Sequence, residues 1–163
     1  MNYAQARPLI KSGDLLAWTH RSWGSWHDIK VQIVRFFTQS EYSHVALAYE
    51  MDGRLFAYEA VMPLVRIFPL SKLGEFYHLP LNTNWTPEVR DYAMSHVGEE
   101  YSQVQAVLAM ARPLEHDSKW ECAELVLAVL EKAGVSLGTK AVPSAVVREA
   151  KLLGSIEVLV VNP

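Results

Sequence analysis

The chain has 163 residues, half of them hydrophobic, which is the size of one globular domain whose core needs neither disulfides nor a structural metal. A net charge of -3, with only 20% charged residues and no basic run, argues against a nucleic-acid partner. The one cysteine excludes an internal disulfide and suits a reducing compartment.

The first residues, Met1 to Pro8, lack the continuous apolar stretch of a signal peptide and read as a flexible start. The expected location is therefore cytoplasmic, or phage-associated after delivery by a particle. Ser12-Gly13-Asp14 is a turn signal ahead of Leu15-Leu16-Ala17-Trp18, a buried strand too short to span a bilayer. Residues 20–27 read as a loop, and the spacing of Ile29, Ile33, Phe36 and Phe37 predicts a helix over 28–39.

Residues 42–50 and 54–61 flank Met51-Asp52-Gly53 and form the strongest hairpin signal in the chain. Further strands are expected over 64–68 and 76–81. Thr86-Pro87-Glu88 carries the signature of a helix start, with Gly98 as a stop. Helices follow over 102–111, 121–133 (closed by Gly134) and 144–152 (entered through Pro143), with a polar loop over 113–119. A last strand is expected over 156–161. No repeat or linker divides the chain, so residues 1–163 read as one α+β domain.

Cys122 lies at the first turn of the helix over 121–133, where free backbone N–H groups and the positive end of the helix dipole favour a thiolate. Those N–H groups are also oxyanion donors in waiting. A cysteine beside Leu125, Val126 and Val129 equally suits a small buried hydrophobe. The hairpin bears on the choice. If Asp52-Gly53 is a two-residue turn, Met51 pairs with Arg54, Glu59 faces Ala46, and Val61 faces His44. Glu59 then lies diagonally from His44 on one sheet face, able to orient its imidazole.

The segments Gly13-Asp14-Leu15-Leu16-Ala17, Tyr42-Ser43-His44-Val45-Ala46-Leu47-Ala48, Tyr58-Glu59-Ala60 and Trp120-Glu121-Cys122-Ala123-Glu124-Leu125-Val126 occur in a telling order. In that order the chain resembles the circularly permuted branch of the NlpC/P60 papain-like hydrolases, especially the YiiX/YaeF-like group. The resemblance implies a permuted NlpC/P60 fold, an antiparallel sheet packed against helices. It also implies a catalytic triad: Cys122 as nucleophile, His44 as base and Glu59 orienting the ring, acting without a cofactor through an acyl-enzyme.

The expected function is a cysteine hydrolase, a thiol peptidase or amidase acting on a peptide or acyl-containing substrate such as a cell-wall peptide. A thioesterase or acyltransferase on a lipid-like substrate, and a catalytically silent binding or virion-associated protein, are the alternatives. Trp18, Trp23 and Tyr42 are candidate substrate-groove residues, although aromatic residues serve cores as readily. His20, His27, His78, His96 and His116 show no metal-ligand spacing, so no metal is expected. No transmembrane segment is expected, and the oligomeric state is unread.

Overall fold

The computed structural model describes residues 1–19, 41–101 and 120–162. The loop expected over 20–27 and the helices expected over 28–39 and 102–111 lie outside the described residues. Six strands form one sheet in the order β4-β3-β2-β1-β5-β6: β1 (Leu15–Thr19), β2 (Tyr42–Met51), β3 (Arg54–Val61), β4 (Leu64–Pro69), β5 (Phe76–Leu79) and β6 (Val158–Val160). Every neighbouring pair is antiparallel. The helices among the described residues are α1 (Tyr3–Ala6), α2 (Pro87–Ser95), α3 (Cys122–Lys132) and α4 (Pro143–Leu152).

Alternation along the strands divides the interior into two clusters. Leu15, Ala17, Val45, Leu47, Tyr58 and Ala60 pack with Leu125, Val126 and Val129 of α3 and Val146 and Val147 of α4. The opposite face, with Leu16, Trp18, Ala46, Ala48, Leu55 and Ala57, is covered by Ala6, Ile10 and Leu70. A strand residue on either face is thus removed from water, and a polar one there needs a partner.

The β2–β3 hairpin closes through Asp52 (φ 51°) and Gly53 (φ 71°), the double left-handed turn that matches strand twist. Met51 pairs with Arg54, and the register runs through Leu47 and Tyr58. The Thr86 hydroxyl caps α2 by accepting from the Val89 N–H, with Pro87 at the first helical position.

Two sequence expectations need correcting. The start of the chain is ordered: Asn2 and Gln5 form a reciprocal capping box on α1, and residues Arg7–Leu9 continue as a 3-10 turn. A single helical turn is too short to leave an apolar period in the sequence. The last strand is limited to Val158–Val160, because pairing with β5 extends only from Phe76 to His78.

Candidate functional site

The site begins with a ladder pair. His44, near the start of β2, lies opposite Trp18 of β1, just before the register slips between Trp18 and Thr19. Their rings are 5.3 Å apart and tilted by 42°. The Ser43 hydroxyl donates to the Trp18 carbonyl, tying the two strands together at this level. His44 is fully enclosed, and an enclosed imidazole needs partners for its ring nitrogens.

One partner is Glu59. Its Oε2 lies 2.9 Å from His44 Nε2, and the Cys122 thiol is a second side chain that bears on the imidazole, raising its pKa. Glu59 is only 1% exposed, so its carboxylate is cut off from water and needs partners. Its second oxygen is held by Arg66, whose Nε and Nη2 donate to Oε1 at 2.9 and 2.7 Å.

Burial pushes the His44 imidazole down, but bonds to Cys122 and Glu59 outweigh it and raise its pKa to about 9. Burial pushes Glu59 up, and the bond and charge of His44 together with Arg66 turn the balance, holding the carboxyl below its ordinary range. Both directions favour an imidazolium facing a carboxylate.

Cys122 is the first residue of α3 and is buried. The first bond inside the helix runs from the Leu125 N–H to the Glu121 carbonyl, so the N–H groups of residues 122–124 lack intrahelical acceptors. Glu121 is the N-cap but its side chain caps nothing, and its buried Oε1 has no partner among the described residues. Burial and then the charge of Glu124 push the Glu121 carboxyl up to about 8.

The approach to Cys122 is fixed by Trp120. Its N–H donates to the Glu100 carbonyl at 3.0 Å, and its indole N–H donates to Glu99. Glu99 also bonds His96 Nδ1 at 2.9 Å. Tyr101, bridged to Trp120, is pushed above its ordinary range by burial and then by Cys122 and Glu121.

The structure therefore brings Cys122, His44, Glu59 and Trp18 together. Tyr42 is buried, and its hydroxyl donates to Glu157 and accepts from Lys151 Nζ, fastening β2 to α4 and the chain after it. Trp23, His20, His27 and His116 lie outside the described residues. His78 pairs with Asp14 at 2.8 Å. Arg66 was missed in the sequence reading. A tight β3–β4 turn that pairs Val61 with Leu64 also pairs Glu59 with Arg66, as observed, so the same register arithmetic would have found it.

No protein-family model matches this chain, and no curated protein does. A solved structure does match: metalloprotein yiiX from Escherichia coli O157:H7, of the DUF1105 group, with a TM-score of 0.56 and 21% identity over 94% of this chain and 89% of that one. The fold is of the YiiX type. It is an α+β arrangement with an antiparallel sheet packed against helices. At this identity the YiiX-type likeness carries the chain path and leaves the chemistry to the residues.

It also corrects the functional expectation. The structure sharing this path is described as a metalloprotein, so the likeness supplies no cysteine peptidase, thiol protease or amide hydrolase from which that activity follows. The NlpC/P60 reaction and its catalytic triad, expected from the resemblance, are withdrawn with it. Nor do three or more His, Cys, Asp or Glu side chains among the described residues group as a metal ion would require. Among these residues no helix is long and apolar enough to cross a membrane.

Proposed function

We propose that this chain acts through a reactive thiol that captures a ligand carrying a soft electrophilic carbon. Cys122 gives its proton to His44, Glu59 holds the ring, and the sulfur electron pair forms the new S–C bond. The electron pair displaced on the ligand then takes the proton back from the imidazolium, so the adduct is neutral and its formation balances. The reading assigns neither amide cleavage nor acyl transfer. Trp18, packed on His44, forms a wall of the ligand site.

The observation that carries this reading is the enclosed His44, bonded to Cys122 and to a carboxylate that Arg66 holds. A small buried hydrophobe would not require an imidazole and an anchored carboxylate behind it. The order of His44 on β2 ahead of Cys122 on α3 supports a circularly permuted papain-like ancestry of the fold. At this site the imidazole of His44 is committed to the Glu59 carboxylate rather than open to a metal ion.

Alkylation by iodoacetamide, followed by intact mass from pH 5 to 10, tests the reading. Wild-type Cys122 is expected to react at pH 7 about tenfold faster than a free cysteine, and His44→Ala to abolish that advantage. A wild-type rate that rises only near pH ~8.5, unchanged by His44→Ala, would mark Cys122 as an ordinary thiol and sink the proposal.

A further inference from the structure

Glu59 serves two partners at once, and they come from different strands. Arg66 of β4 is its ladder partner and places two donors on Oε1; His44 of β2 meets Oε2 at 2.9 Å. The Arg66 guanidinium also lies 4.7 Å from the centre of the Phe68 ring, which limits its freedom to leave the carboxylate. We propose that Arg66 is a positioning residue of the site, acting on His44 through Glu59 by dividing the carboxylate between two cations. The proposal rests on the assignment of Cys122, His44 and Glu59 as the working residues.

The division has two physical effects. Arg66 keeps a fully buried carboxyl ionised and fixes its plane, so that Oε2 faces the imidazole. It also draws part of the carboxylate charge away from His44 and adds a cation nearby, which tempers how tightly the imidazole keeps its proton. Among the described residues, those facing His44 include Cys122 from α3, Glu59 from β3 and the Trp18 ring from β1, and Glu59 is faced in turn by Arg66 from β4. Removing the Arg66 cation leaves Glu59 undivided. The His44 midpoint then moves up.

The test is the titration of the His44 ring by NMR in the full chain, with the resonance assigned from His44→Gln. Arg66→Gln, which keeps a donor and loses the charge, is expected to raise the His44 midpoint by about half a pH unit or more. Arg66→Lys is expected to restore at least half of that movement. If Arg66→Gln fails to fold, Arg66→Met is read in its place with the same expectation. A midpoint unmoved or lowered in the neutral variant overturns the proposal. So does a rise that Lys does not reduce, because it would then come from altered packing. Slow alkylation of wild-type Cys122 would defeat the reactive-thiol reading and leave this titration to be judged alone.

Discussion

Glu121 stands beside the only cysteine with a buried oxygen that no described residue satisfies, and with Glu124 adding negative charge on the same helical turn. In the unfolded chain it ionises near the ordinary value of 4.5, whereas in the fold it keeps its proton up to about 8. The folded state thus binds more protons between these values, and stability falls as pH rises through that window. Glu121→Gln replaces the acid with a neutral isostere that retains a donor. We expect the variant to lose the part of the stability decline that begins near pH 4.5 and to be more stable than wild type at pH 8.5. Urea unfolding at pH 5 and pH 8.5 measures it; equal declines in the two proteins would contradict the assignment. The sequence marked Glu121 only as the neighbour of Cys122, because its neutrality depends on burial that no local pattern reveals. His44 and Glu59 were legible for the converse reason: strand parity and a two-residue turn fix which side chains share a face.

At the level of elements, local chemistry explains what was readable. Asp52-Gly53 and Thr86-Pro87 each specify a backbone conformation through their own local chemistry, and both formed as the sequence implied. The weakly patterned pieces, α1 and the end of β6, depend on contacts between distant residues, such as the Tyr3 N–H donating to the Val161 carbonyl at 3.0 Å. The turn into β1 is a sharper case. Gly13 has φ +88°, its N–H donates to the Ala48 carbonyl, and an added Cβ would stand 2.2 Å from Thr83 Oγ1 and 2.9 Å from the Trp85 ring. Backbone strain and collision therefore coincide where the chain enters the site-bearing strand. Gly13→Ala should lower unfolding stability by at least about 2 kcal/mol. Adding Thr83→Ala should recover only the share due to the Thr83 hydroxyl, since the Trp85 collision and the left-handed strain remain; full recovery in chemical denaturation would refute that division.

Across the whole molecule, the sheet is covered on both faces, so Glu59, His44 and Cys122 are built into the interior, with Arg66 half-buried at the edge of that ionic chain. Its charge state therefore enters the global stability. The His44 pKa is raised from 6.5 to about 9, so its contribution is complete below about 6.5 and is lost as pH rises through 9. The Glu59 pKa is lowered from 4.5, so its contribution is present above that value and is lost as pH falls through the lower folded one. Unfolding followed by urea from pH 3 to pH 10 should give a stability that falls at both ends. Glu59→Gln should remove the acid limb and shrink the base limb to the part that Cys122 sustains, at the cost of about 3 kcal/mol near neutrality, because one carboxylate serves both cations. Had the two limbs come from unrelated surface groups, that single substitution would leave the base limb unchanged, and the buried chain would have no part in holding the fold.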